Sequence, residues 1–315
     1  MTAAVMPLGV LVVLGFVGAI AAAHGGAAGL PLWAGLLLLV VLSAALVARL
    51  ARLDGGGVRG WRGRALPLAA PLAFGAVLLA LWEAAVVGAG VPMVLLPAPS
   101  AIGARMAGAG PMLFADFVQT FVKAVLTGYL AGGALGFGAA LLVDRSPFLR
   151  RGLLPIANLV SALPVIGVAP VMVMWFGFDW PSKAAVVVAM TFFPMLVNTL
   201  AGLSAAGAPE RDLMRSYAAT HRQTLLLLRL PAALPFVFTA LKVNAPLALI
   251  GAIVAEFFGS PTVGMGFRIT TEAARLALDT VWAEIAVAAA AGTAFYGLVA
   301  LAERAATFWH PSFRG

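Results

Sequence analysis

Cysteine is absent from this 315-residue sequence, so neither a disulfide nor a thiolate metal site can form. Charge is scarce: 10% of the residues are Asp, Glu, Lys or Arg, against about 25% in an average soluble domain. The three histidines, His24, His221 and His310, lie too far apart for metal-ligand spacing, so no metal site is expected. The only lysines are Lys123, Lys183 and Lys242, and none follows a glycine. A phosphate-binding loop needs Gly-x4-Gly-Lys-Ser/Thr, because backbone amides and that lysine hold the phosphates, so this chain cannot bind ATP by that device. His-Glu-x-x-His and Gly-x-Ser-x-Gly are missing too, and no reactive cluster suggests catalysis. Carboxylates inside apolar runs are sparse, with Glu83 in the third run and Glu256 at an edge. Proton-coupled carriers usually hold a richer set, which weighs against a transporter that powers itself.

What the sequence has is apolar length. Hydrophobic residues make up 63% of it, and the mean hydropathy is +1.04. A bilayer core about 30 Å thick needs roughly 20 apolar residues at about 1.5 Å each. Eight runs of that kind are predicted, near 5–23, 31–48, 66–88, 117–142, 153–176, 184–203, 233–255 and 281–302. The fold class is therefore an all-α polytopic membrane protein. The formal charge of +8 does not call for nucleic acid, since in such proteins the excess Lys and Arg sits in cytoplasmic loops. With the N-terminus inside, fourteen basic residues fall in inner segments and five outside, with Lys242 inside a span. Both termini are expected in the cytoplasm. No Lys or Arg precedes the first run, so a cleavable signal is not expected. Arg49–Arg64, with Gly55-Gly56-Gly57 and five arginines, reads as a flexible basic linker. The expected division is an accessory two-span hairpin over 1–48, a basic cytoplasmic linker over 49–65, and a working unit over 66–310.

Within that unit, Ser100 is predicted to cap a short helix over Ala101–Met106. Gly128, Gly132 and Gly136 form a doubled Gly-x-x-x-Gly, read as close helix packing rather than a backbone that hugs a ligand. Pro164 and Pro170 interrupt the fifth run. Asn158, Ser161, Thr191, Asn198, Asn244 and Glu256 are polar positions in or at the ends of runs five to seven. Such residues either line a path or glue helices together. With Pro164 they are the candidate path positions. Lys242 is read as snorkelling to the inner interface, with neutralisation of an anion as the other reading.

The stretch Asp212–Pro231 does not belong to the membrane. It is a polar, charged interruption between two apolar runs, opened by Pro209, Glu210 and Arg211 and expected to be helical. Leu213, Met214, Tyr217 and Leu225–Leu228 supply an apolar face. A helix of that kind lies on the membrane surface or docks in a groove of a partner.

This stretch resembles the loop of binding-protein-dependent ABC importer permeases that reads Glu-Ala-Ala, three residues, Gly, nine residues, Ile-x-Leu-Pro. The matching positions are Asp212-Leu213-Met214, Ala218 and Leu228-Arg229-Leu230-Pro231. Leu213, Met214 and Ala218 stand where the family keeps small residues, so the helix is expected to sit differently in its groove. Four further stretches resemble the nitrate/sulfonate/taurine branch. They are Leu96-Pro97-Ala98-Pro99-Ser100, Pro164…Pro170…Trp175-Phe176-Gly177, Phe193-Pro194-Met195-Leu196-Val197-Asn198-Thr199, and Ala255-Glu256 followed by Gly264-Met265-Gly266-Phe267.

The resemblance implies a type I ABC importer permease fold with six core spans, the first two runs lying outside it. It implies a permease subunit in the bacterial inner membrane that moves a small solute, an anion or a vitamin precursor, by alternating access. It implies a likeness of Asp212, Leu213, Met214, Arg215, Tyr217, Ala218, Leu228, Leu230 and Pro231 to the segment that couples to the ATPase. The partners it implies are cytoplasmic ABC ATPase subunits that carry ATP and Mg, a periplasmic or lipid-anchored substrate-binding protein, and a second copy of this chain. No cofactor is expected in this subunit. A secondary transporter or channel without an ATPase, and a membrane scaffold, are the rival classes.

Overall fold

The computed structural model describes residues 61–146, 148–149, 151–152, 165–260 and 262–309. The hairpin expected over 1–48, most of the linker over 49–65, and Asn158, Ser161 and Pro164 lie outside the described residues. All regular structure among the described residues is helical. Among the described residues five stretches are long and apolar enough to cross a membrane: Pro71–Gly88, Gly110–Arg145, Trp180–Ser204, His221–Glu256 and Leu278–Ala306. Each contains one of the runs predicted near 66–88, 117–142, 184–203, 233–255 and 281–302, or most of it. Of the run near 153–176, the described part is the shorter helix Val165–Phe176, which continues through Pro170.

The described residues fall into two compact units. In the first, α1 (Trp61–Gly88) is followed by α2 (Pro99–Gly108). Ser100 does not cap α2 as expected, because the helix begins at Pro99, two residues earlier than expected, and includes it. Ser100 donates instead, from its amide at 2.8 Å and its hydroxyl at 2.7 Å, to the carboxylate of Glu83. A carboxylate at a helix N-terminus satisfies free amides and meets the positive end of the dipole. Glu83 is thus a structural acid. Leu276–Trp282 completes this unit, with Trp282 edge-on to Trp82 at 4.9 Å and Thr280 accepting from Arg105 Nε at 2.8 Å.

The second unit holds the rest. Helix α3 (Gly110–Phe117) passes through a π-helical stretch, Val118–Val125, into α4 (Leu126–Arg145). Then come α5 (Val165–Phe176) and α6 (Trp180–Ser204). The short α7 (Ala208–Ser216) and α8 (His221–Thr224) lead through a second π stretch, Leu225–Arg229, into α9 (Leu230–Glu256). Helix α10 (Met265–Ala274) and the part of α11 (Leu278–Ala306) from Ala283 onward close the unit.

Helix α6 is the centre of the packing, with α4 on one side and α9 on another. The α4 contact is backbone-close. A Cβ at Gly128 would stand 2.6 Å from Val187 Cβ, and Cβ atoms at Gly132 and Gly136 would overlap Thr191 and Phe192. The glycine stripe is thus a packing device, as read from the sequence. A core of Phe121, Tyr129, Leu249, Met265 and Phe295 lies across the α3–α4 helix, α9, α10 and α11. Phe295 meets Phe121 and Tyr129 edge-on at 5.5 and 4.8 Å. The Tyr129 hydroxyl donates to the Leu241 carbonyl at 2.9 Å, as a buried phenol requires.

Candidate functional site

Between α6 and α9 the chain leaves the apolar region and returns. Gly207 is the N-cap of α7, and Pro209 sits in its first turn, where a missing amide costs nothing. No residue of α7 or α8 is buried. Asp212 pairs with Arg215 at 3.0 Å while both stay well exposed, and Leu213 and Tyr217 are 56% and 76% exposed.

The expected single helical segment over Asp212–Pro231 is in fact two helices. Helix α7 ends because Ala218 adopts φ 52, a left-handed conformation. Its amide bonds the Arg215 carbonyl and that of Ala219 bonds the Met214 carbonyl, both at 2.9 Å, which closes the end of α7 with a Schellman motif. Two residues on, Thr220 caps α8 in a reciprocal capping box with Gln223. From His221 the chain is helical to Glu256, so the span predicted from 233 begins about three turns earlier. Its π stretch falls where Pro231 removes the donor to Leu227 and its ring crowds that carbonyl. Leu228, Leu230 and Pro231 are half-buried there.

The opposite end of α9 carries a second polar constellation. Glu256 accepts from the Thr120 hydroxyl at 2.8 Å and from the Gly266 amide at 2.7 Å. Thr120 accepts in turn from the Met265 amide at 2.8 Å. Asp116 accepts from the Gly264 amide at 2.6 Å and from Arg268 Nε at 2.9 Å. Burial works against the charge on Arg268, but the hydrogen bond and charge of Asp116 more than offset it and hold the guanidinium above its ordinary pKa. These bonds fasten the start of α10 onto α9 and the α3–α4 helix. Gly264, at φ 141, is glycine for two reasons: its torsion, and the Glu256 carboxylate that stands 2.6 Å from where a Cβ would go.

The remaining path candidates separate by environment. Thr191 and Asn244 are fully buried; Thr191 donates to the Val187 carbonyl at 2.8 Å, and Asn244 reaches across from α9 to the Thr191 carbonyl at 2.9 Å. Glu256 is buried in the network just described. Asn198 is half-buried and donates to the Pro194 carbonyl of its own helix at 2.8 Å. Lys242 neither snorkels freely nor waits for an anion: its Nζ pairs with Glu303 at 2.6 Å. An open apolar hollow of about 410 Å³ is lined by residues of α5 and α6 that include Trp175, Phe176 and Phe192. Asp116, Thr120 and Asp144 were not among the candidate site residues of the sequence. An acid at the end of a long apolar run was the only available sign for the two carboxylates.

Among the described residues, five long apolar helices, with most of their polar groups bonded inside the fold or gathered at chain turns, define a multi-pass helical membrane protein. Residues 128–314 match the profile of the family described as the binding-protein-dependent transport system inner membrane component. The chain is 34% identical over 197 residues to the formylaminopyrimidine transport permease protein ThiX of Halalkalibacterium halodurans, covering 62% of this chain and 78% of that protein. It is 28% identical over 238 residues to the riboflavin transport system permease protein RibX of Chloroflexus aurantiacus (75% and 88%). It is 29% identical over 242 residues to the taurine transport system permease protein TauC of Escherichia coli (75% and 87%). The chain belongs to this family of inner-membrane ABC importer permeases, in the nitrate/sulfonate/taurine branch.

Proposed function

We propose that this chain forms the translocation path of an ABC importer and works by alternating access, driven by a P-loop ATPase that grips the α7–α8 hairpin from the cytoplasm. The observation that carries this reading is the hairpin itself. Nine residues of α7 and four of α8 with nothing buried, two large apolar side chains held outward, a Schellman closure ending α7 and a capping box opening α8 make a surface that the described residues leave uncovered. Asp212, Leu213, Met214, Arg215, Tyr217 and Ala218 form the docking surface, and Leu228, Leu230 and Pro231 join it to the span. ATP and Mg bind the partner subunit. Closure of the ATPase pushes the hairpin and turns the spans.

The same reading includes six core spans behind an accessory N-terminal hairpin, both termini in the cytoplasm, a second copy of the chain and an external substrate-binding protein. The basic residues of the hairpin, Arg211, Arg215, Arg222 and Arg229, support the inner placement. Of the described path candidates Asn198 is the one left half-buried, so the path is best sought beside α6. The solute is of the small-anion or vitamin-precursor class, since the relatives are named for taurine and for pyrimidine and flavin compounds.

The test is purification of the chain with the products of its neighbouring genes. A P-loop ATPase should copurify with it, and Tyr217→Asp should abolish that association while the permease itself still folds. An ATPase that stays bound to a Tyr217→Asp, Asp212→Lys double variant with unchanged affinity counts against the hairpin as its seat.

A further inference from the structure

Arg229 closes the π stretch at the base of the hairpin, and its guanidinium is used on three sides. Nη1 and Nη2 each donate to one oxygen of Asp144 at 2.7 Å, and Nε donates to the Leu203 carbonyl at 2.9 Å. Asp144 lies in the last turn of α4 and Leu203 in the last turn of α6. Helix C-termini carry free carbonyls and the negative end of the dipole, where a carboxylate is out of place unless it is paired. One cation therefore serves two helix ends. The side chains are only 15% and 6% exposed, so this is not a solvated surface pair.

Geometry matters as much as charge. Two parallel N–H···O bonds fix the orientation of the partners as well as their distance, which a lysine cannot do. Among the described residues the hairpin has no buried residue of its own, so force on it reaches the membrane region chiefly through its two chain ends. At one of these the backbone is a π turn, closed by the Leu230 amide on the Leu225 carbonyl, a type of turn that recurs at functional sites. Without a brace, that turn would be the place where the hairpin flexes.

We propose that the clamp of Arg229 on Asp144 and Leu203 is the strut that passes hairpin movement into α4 and α6. Arg229 is a positioning residue, and the proposal rests on the reading of the hairpin as the seat of an ATPase. It adds which side chains turn a push on α7 into rotation of the spans.

The absence of cysteine makes the test direct. Spin labels are placed at Leu142→Cys on α4 and Leu301→Cys on α11, both exposed positions. The full chain, in lipid nanodiscs with its copurified ATPase, is measured with and without ATP, Mg²⁺ and vanadate. In the otherwise native chain the label distance should shift by about 2 Å or more, the scale of helix shifts in switching proteins. Arg229→Gln and Arg229→Lys should lose that shift while the ATPase stays bound and hydrolyses ATP at the native rate. Arg229→Asp with Asp144→Arg should regain part of it. A shift that persists in both single variants overturns the proposal, as does its absence from the native complex. Dissociation of the ATPase from Arg229→Lys, which keeps the charge, also overturns it, because the clamp would then serve assembly alone. Failure of any ATPase to copurify with the native chain is a separate result. It removes the hairpin reading, and the strut with it.

Discussion

The amide of Ala219 bonds the carbonyl of Met214 at 2.9 Å, and Ala218, in the turn between the helices, is held at φ 52 by that closure. An L-residue with a Cβ pays about 1–2 kcal/mol in this region, and glycine does not. Ala218 is exposed within this chain. Beside the expected fit of a small residue in a partner's groove, the torsion alone is a reason for glycine at this position. Ala218→Gly should stabilise the hairpin by about 1 kcal/mol, and Ala218→Val should weaken it. Hydrogen exchange at the Ala219 amide reads this directly: slower exchange in the glycine variant is expected, and equal or faster exchange would refute the torsional account.

The same residue marks where the sequence stops being informative. Long apolar runs announce themselves because lipid demands some twenty residues of uniform character, and α4, α6, α9 and α11 were legible for that reason. Their ends were not. Residues 221–232 read as part of the connection outside the membrane because they are polar and charged, yet from His221 the chain is helical into α9, with Pro231 accommodated by the π stretch before it. The hairpin was visible as misplaced charge, whereas its break at Ala218 was hidden, since alanine carries no signal for positive φ. The pairing of Arg229 with Asp144 spans 85 residues and leaves no local pattern. Thr191 and Asn244 show a further limit, since a polar residue in an apolar run does not declare which helix it faces.

Two adjacent glycines on α4 give a sharp contrast. A Cβ on Gly132 would overlap Thr191 Oγ1 and stand 2.9 Å from the Val188 carbonyl oxygen, whereas one on Gly133 would meet nothing within 4 Å. Gly132→Ala should cost about 1–3 kcal/mol through forced separation of α4 and α6. Gly133→Ala should be neutral or stabilise by up to about 1 kcal/mol, the usual gain of alanine over glycine in a helix. Thermal unfolding of the two variants in the same detergent decides it, and equal melting temperatures would mean that the stripe does not set the α4–α6 distance.

Asp179 offers a pH-dependent case. It accepts from the Trp180 amide and from Gln119 Nε2, both at 2.7 Å, and so caps α6. The Trp180 amide first, and Gln119 next, favour the carboxylate and hold its pKa below the usual 3.8. The folded chain thus binds this proton less tightly than the unfolded chain. The contribution is present above the unfolded pKa and is lost as pH falls through the lower folded value. Because Asp179 is exposed, Asp179→Ala should cost only about 0.5–1 kcal/mol. The stability gap between variant and parent should stay constant over about pH 5 to 8 and close only in acid. A gap that changes near neutrality would assign the effect to another group.

Lys242 and Glu303 provide the last test, since their 2.6 Å contact replaces the snorkelling expected for the lysine. The Lys242 side chain is 23% exposed and that of Glu303 is 9% exposed. Removing one partner from a pair this far out of water strands the other charge, which costs about 3–5 kcal/mol, while replacing both by apolar groups of similar volume is often neutral. Lys242→Met and Glu303→Leu should therefore each lower the melting temperature markedly, and the double variant should recover most of the loss. The four corners of that cycle, measured in one detergent, separate the two accounts. If Lys242→Met alone is harmless, the ammonium is solvated at the interface after all. If the double variant is as unstable as the singles, packing around these side chains matters more than their charge.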